Sequence, residues 1–163
     1  NAAGGAREIQ AVSLLEVERR VAHRPEDLFD LVGDVKRYPH FIPWIKAMRV
    51  TETREQGPYK IRFLAEALVG FKIIRERFAT WVARDAHALS IDVDLHSGPF
   101  RMLQNRWRFI PDGDGCLVKF AIDFEFSSPL LQGILTMNKE RAAKAVMDAF
   151  LDEADRRYSR KSS

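Results

Sequence analysis

Apolar and polar side chains alternate with a period of two through the middle of the chain, the pattern of half-buried strands. Over Tyr59–Leu68, Tyr59, Ile61, Phe63, Ala65 and Ala67 fall on one face, with Lys60, Arg62 and Glu66 on the other. His87–Leu95 sets Leu89, Ile91, Val93 and Leu95 against Ser90, Asp92 and Asp94. Phe100–Ile110 places Leu103, Asn105, Trp107 and Phe109 opposite Gln104, Arg106 and Arg108. Cys116–Phe126 turns Val118, Phe120, Ile122, Phe124 and Phe126 inward, and Lys119, Asp123 and Glu125 outward. Looser apolar runs over Val12–Val21, Trp44–Thr53 and Phe71–Arg84 predict further strands. Gln56-Gly57-Pro58, Val69-Gly70, Ser97-Gly98-Pro99 and Pro111-Asp112-Gly113-Asp114-Gly115 are turn signals between them.

Helical spacing appears in two places. Arg24-Pro25-Glu26-Asp27 starts a short helix, with Pro in the first turn and acids that suit the dipole. Leu28, Phe29, Leu31 and Val32 form its apolar face, and Gly33 stops it. Asp34 caps a second short helix that Tyr38-Pro39 ends. Ser127-Ser128-Pro129 opens the last element, in which Leu131, Ile134, Leu135, Ala142, Ala145, Val146, Ala149 and Phe150 recur at helical spacing. From Pro129 to Tyr158 such a helix spans about 45 Å. The order is strand, two short helices, about six antiparallel strands, long helix. This predicts an α+β architecture, a curved antiparallel sheet gripping a long C-terminal helix. One cylinder does not fill a trough, so a cavity is expected on the inward face. Residues 11–158 are read as one domain, with flexible tails at 1–10 and 159–163.

Composition sharpens this picture. The 163 residues include 11 Phe, 3 Trp and 3 Tyr, and 46% are hydrophobic. The net charge of +3 permits contact with anionic lipid or RNA without requiring it. One cysteine, Cys116, excludes a disulfide framework and a multi-cysteine zinc site. No apolar run reaches the length of a membrane span. No signal peptide is read at the N-terminus, and the expected location is cytoplasmic, peripheral at the inner face of the membrane.

Motifs for catalysis are missing: no nucleophile elbow and no phosphate loop appears. The four histidines, His23, His40, His87 and His96, offer no metal-ligand spacing, so no metal and no required cofactor are expected. DNA is not an expected partner. Phe63, Phe71, Phe78, Trp107, Phe109, Phe120 and Phe124 admit two readings, a packed core or the wall of a hydrophobic-ligand pocket. Met137 and Met147 share that ambiguity. Asn105 is either a satisfied core amide or a ligand contact, and Glu76 stands on a strand whose facing is open. His40 is either a loop residue or a polar group at a pocket mouth. Pro43 and Trp44 form a structural corner or a membrane-facing lip. Arg156, Arg157, Arg160 and Lys161 read first as a solvated helix end, and second as a contact for anionic lipid or RNA.

Asp34-Val35-x-x-Tyr38-Pro39-x-Phe41-x-Pro43-Trp44 resembles the signature of the coenzyme Q-binding, START-like proteins of the polyketide cyclase/dehydrase group. Gly98-Pro99-Phe100-x-x-Leu103-x-x-x-Trp107-x-Phe109, Cys116-x-Val118-x-Phe120-x-x-x-Phe124-x-Phe126 and Met147-x-x-Phe150 also match its pattern. The resemblance covers about Glu16–Tyr158. It implies the helix-grip fold and binding of ubiquinone or a similar isoprenoid lipid by a non-enzymatic lipid chaperone that supports quinone biosynthesis and respiratory electron transport. By motif, Pro39, Phe41, Pro43 and Trp44 would border the entrance, and Leu103 and Trp107 the cavity. The family also includes bacterial ribosome-association toxins, described as binding the large ribosomal subunit and hindering subunit joining.

The leading expectation is therefore a lipid carrier that touches the membrane transiently through a lip near Trp44 and the start of the long helix. The alternative is a ribosome-contacting regulator with a basic patch at Lys36, Arg37, Lys46 and Arg49. A cyclase or aromatase needs polar catalytic groups that the inward face hardly supplies.

Overall fold

The computed structural model describes residues 14–71, 73–131 and 139–158. The predicted tails, the start of the first strand and Met137 lie outside the described residues.

β1 (Leu15–Val21) leads into α1 (Pro25–Gly33) and a short 3-10 helix (Val35–His40). Six strands follow: β2 (Ile45–Glu55), β3 (Lys60–Phe71), β4 (Ile74–Asp85), β5 (Ser90–Ser97), β6 (Phe100–Asp112) and β7 (Gly115–Phe126). Helix α2 (Lys139–Tyr158) ends the described chain, and residues 129–131 are already helical after Ser128, as the Pro129 signal predicts. The strands form one antiparallel sheet in the order β1-β7-β6-β5-β4-β3-β2. β2 to β7 are a meander because tight turns join neighbours. β1 returns to the far edge beside β7, pairing Val17 with Phe120 and Val21 with Cys116. Register shifts that leave an extra residue in β2, β5 and β6 bend the sheet into a trough. This is the helix-grip architecture that the resemblance implies, and it agrees with the element order read from the sequence.

The core lies between the concave face and the helices. Leu28, Phe29, Leu31 and Val32 of α1 are buried against Phe109, Cys116, Val118 and Phe120, in one cluster with Met147, Phe150 and Ala154 of α2. Burying each such side chain contributes roughly 1.5–3 kcal/mol. The end of α2 is tied to the start of the domain. His23 Nε2 lies 2.7 Å from Asp155 Oδ1, and the Tyr158 hydroxyl donates to the Asp27 carbonyl at 3.3 Å. Buried Glu153 accepts from Arg156 at 2.5 Å and from Arg157 at 2.7 Å.

Several local expectations change. Asp34 stands at the head of the 3-10 helix, but its side chain makes no cap bond and pairs with Arg37 at 3.3 Å. Gly33 is the last residue of α1, and its missing side chain leaves room for the Arg84 guanidinium; a Cβ there would sit 2.5 Å from Arg84 Nε. Leu89 belongs to a turn at residues 86–89 with φ +53°, so β5 begins only at Ser90. Asp85 Oδ1 organises that turn, accepting the backbone N–H groups of His87 and Ala88 at 3.0 Å each. These bonds hold the Asp85 carboxyl below its ordinary value. Asp123, expected outward in solvent, is 3% exposed and accepts from Lys139 Nζ.

Candidate functional site: an apolar cavity under the C-terminal helix

Two-residue periodicity makes the inner face of the sheet continuous, and what covers it varies along its length. At the end near α1, large side chains fill the space. Trp107 stacks on Phe120 with centroids 4.2 Å apart, Phe150 meets Trp107 edge-on at 5.3 Å, and Met147 is fully buried. At the other end, α2 presents the smaller side chains of Ala142, Ala145 and Val146 to the space over the sheet. There a cavity of about 270 Å3 remains.

Each strand contributes to the cavity by register. Leu103 and Phe124 are direct partners across β6 and β7, and Phe100 partners Phe126. All four line it. Val69 faces Glu76 and Phe71 faces Ile74 across the β3–β4 hairpin, again lining the space. Phe78, Pro99, Gly70, Trp44 and Leu131 complete the described wall. Gly98 shapes one corner. Its φ of +141° favours glycine, and a Cβ would collide with Cβ of Phe78. The Gly98-Pro99-Phe100 segment thus brings its backbone against the wall.

The wall is apolar. Among the described lining residues Glu76 alone carries a charge. Deeper along β6, on the same inward face between Leu103 and Trp107, the Asn105 Oδ1 is buried and has no hydrogen-bond partner. Asn105 is flanked in register by Val93 and Ile122. Beside the cavity wall the chain exposes apolar side chains. Ile73, between Phe71 and Ile74, is 93% exposed, and Leu130, before Leu131, is 70% exposed.

The residues singled out from the sequence thus separate. Trp44, Phe71, Phe78, Leu103 and Phe124 line the cavity. Phe63, Trp107, Phe120, Met147 and Phe150 sit in the packed core and do not line it. Asn105 lies between the two groups. Phe41 packs edge-on against Tyr38 and Phe150, with centroids 6.0 and 5.5 Å away. Pro39 is half-buried and Pro43 exposed, and neither reaches the wall. His40 is exposed at the end of the 3-10 helix. Tyr38 explains part of that motif instead: its hydroxyl donates to the Val32 carbonyl, and burial raises its pKa. Sequence reasoning read Val69-Gly70 as a turn, whereas β3 runs on through Phe71 and the alternation continues; it placed Leu131 in the helix stripe without a site role and left Ile74 unassigned. It placed Ala142 and Ala145 in the helix stripe without reading their smallness as space.

Among the described residues no cluster of His, Cys, Asp or Glu is placed to hold a metal ion, and no helix is long and apolar enough to cross a membrane.

Residues 21–151 match the family described as polyketide cyclase / dehydrase and lipid transport. The ribosome association toxin RatA of Pseudomonas aeruginosa is 36% identical over 132 residues, covering 80% of this chain and 88% of that protein. The mitochondrial coenzyme Q-binding protein COQ10 of Drosophila melanogaster is 28% identical over 142 residues, 84% of this chain but 56% of that longer protein. Among solved structures, an 18 kDa protein of Caulobacter crescentus is 45% identical with a TM-score of 0.72, covering 88% of this chain and 96% of that one. A Streptomyces aromatase/cyclase, at 19% identity, TM-score 0.71 and coverage of 88% and 95%, shares the fold alone. The curved seven-stranded sheet, the helix that grips it and the sequence match over most of its length make this chain a member of the polyketide cyclase/dehydrase and lipid-transport family.

Proposed function

We propose that the chain binds ubiquinone or a related polyprenyl lipid in the cavity and carries it as a soluble chaperone, supporting quinone biosynthesis and respiratory electron transport. The observation that supports this reading is the cavity wall, apolar except for Glu76. Each Å2 of apolar ligand surface removed from water there contributes about 25 cal/mol. A cavity of about 270 Å3 takes a head group or a short stretch of tail. The rest of a long isoprenoid then runs out beside Phe71 and Leu131. Exposed Ile73 and Leu130 flank that side and suit transient contact with a membrane surface during loading. Asn105 is the candidate head-group partner, since turning its amide presents an N–H to a quinone carbonyl. This is a carrier rather than an enzyme. Acid–base chemistry needs groups positioned over the substrate, and Glu76 is the one titratable side chain in the described wall. The working location is cytoplasmic, peripheral at the membrane. Organic extraction of the purified protein followed by mass spectrometry of the lipids tests the reading. A co-purifying isoprenoid quinone is expected, and protein that is empty and takes up no added quinone overturns it.

The bacterial relatives favour a second reading. They carry the name of ribosome association toxins at 36% and 34% identity, and contact with the large ribosomal subunit that hinders subunit joining uses the protein's surface rather than its cavity. Co-sedimentation with purified subunits tests it.

A further inference from the structure

The outer face of the sheet divides into two electrostatic halves. On β5, β6, β7 and β1 the cations are paired. Arg106 meets Asp94 at 3.0 Å, Arg108 meets Asp92 at 2.8 Å, and Lys119 meets Glu18 at 3.5 Å. On β2, β3 and β4 the outward arginines are Arg49, Arg54, Arg62, Arg75 and Arg77, while Lys60 pairs with Asp85 at 4.0 Å. Among the described residues no carboxylate lies within ion-pair distance of any of these arginines. Arg54 and Arg62 stand directly opposite one another in the β2–β3 register. Like charges so placed destabilise a sheet, and a bound anion would relieve them.

The same face is built for planar groups. The Arg62 guanidinium lies 3.9 Å from the centroid of the Trp81 ring, and His96 meets Trp81 edge-on at 5.5 Å. Arg62 and Trp81 share a polar pocket of about 190 Å3 with Arg54, Glu52 and Gln56. Glu52 holds φ +52° at a bulge in β2 that re-aims side chains here. A groove of about 460 Å3 continues the face past Leu64, with Arg49, Arg77 and His96 at its sides and Glu66, the register partner of Arg49, also in its lining. A membrane surface is disfavoured, because none of the exposed large hydrophobic residues, Tyr59, Phe71, Ile73, Ile110 and Leu130, lies on the outer face of β2, β3 or β4. Among the described residues these five unpaired cations are arginines, which bind phosphate bidentately and stack on bases; Lys46, near Gly70 at the start of β2, is unpaired as well and donates to the Pro43 carbonyl.

We propose that the outer face of β2, β3 and β4 is a docking surface for single-stranded RNA. A base stacks on the Arg62 plane that Trp81 supports. Arg54, Arg49 and Arg77 bind successive phosphates. Glu52 and Gln56 accept from a ribose 2′-hydroxyl, which distinguishes RNA from DNA. The surface deepens the ribosome-contact reading and rests on it for the identity of the RNA; it is separate from the lipid cavity.

The test is fluorescence anisotropy of a labelled single-stranded RNA of about twelve nucleotides, run beside co-sedimentation with large ribosomal subunits. The wild type is expected to bind the RNA more tightly than DNA of the same sequence. Its affinity should fall with salt at a slope of about −2, the value for roughly three phosphate contacts. Arg54→Ala with Arg62→Ala should weaken binding by about tenfold or more. Arg62→Lys, which keeps the charge and the fold, should lose most of what Arg62 contributes, and Lys36→Ala with Arg37→Ala should lose little. Equal binding by all variants, or preference for phosphatidylglycerol vesicles or an acidic peptide over RNA, overturns the proposal. Wild-type sedimentation that survives the Arg54 and Arg62 changes removes this surface but leaves the ribosome reading. Arg62-dependent RNA binding without sedimentation upholds the surface and removes that reading.

Discussion

Trp107 and Phe120 face each other directly across β6 and β7, their ring centroids 4.2 Å apart and their planes 29° from parallel. The pair marks where the inner face changes from filled to hollow: Trp107 is 4% exposed within the core, whereas Leu103, on the same strand face, lines the cavity. Trp107→Ala should therefore act as a core truncation, costing roughly 3–5 kcal/mol. Urea denaturation measures the loss. Unchanged stability in this variant would mean that the ring is not packed as described.

Gly98 holds the corner where the β5–β6 turn meets the cavity wall. Gly98→Ala combines a left-handed strain with a collision against Phe78, and should destabilise by about 2 kcal/mol or more. Gly57 has a comparable φ of +127° but nothing near its missing Cβ. Gly57→Ala should cost visibly less, and the difference between the two melting curves isolates the contact with Phe78.

Alkaline pH should weaken the fold. Burial pushes the Cys116 thiol from its ordinary 9.0 up to about 11. Above pH 9 the unfolded chain releases that proton first, so native stability falls as pH rises and the loss levels off above the folded value. The gap between the two values corresponds to at most about 3 kcal/mol. Tyr38, also raised by burial, adds a loss of the same sign. Urea midpoints at about pH 8 and about pH 10.5 should drop further in the wild type than in Cys116→Ala. Equal drops would assign the effect to other groups.

The elements were legible because alternation in β3, β6 and β7 is nearly unbroken, and because Pro25 and Pro129 mark helix starts. Tight turns then dictate a meander, and the two short helices after β1 leave it free to return beside β7. What the pattern could not show is the third dimension above the sheet. Met147 and Ala145 occupy the same apolar stripe, yet one fills the core and the other leaves space, because that depends on the height of α2 over a bent sheet. Asp123 looked solvated by alternation alone, since Lys139 arrives from a distant element. Leu89 looked like a strand residue because the Asp85 turn that captures it has no Gly or Asn at the left-handed position. The RNA surface was illegible for a related reason: the sequence shows which arginines face outward, but only the structure shows which have acids beside them.

Ala145 on α2 gives the most direct test of lipid binding. It lines the cavity and is small, so Ala145→Phe places a ring in the space while leaving the core residues Met147 and Phe150 untouched. The measurement is titration of a short-tailed ubiquinone into the protein, read by quenching of tryptophan fluorescence, with Trp44 in the wall as the reporter. Saturable quenching by the wild type, lost in Ala145→Phe while its melting temperature holds, is the predicted result. Equal quenching in a folded Ala145→Phe variant, or none in a wild type freed of lipid, would contradict binding in this cavity.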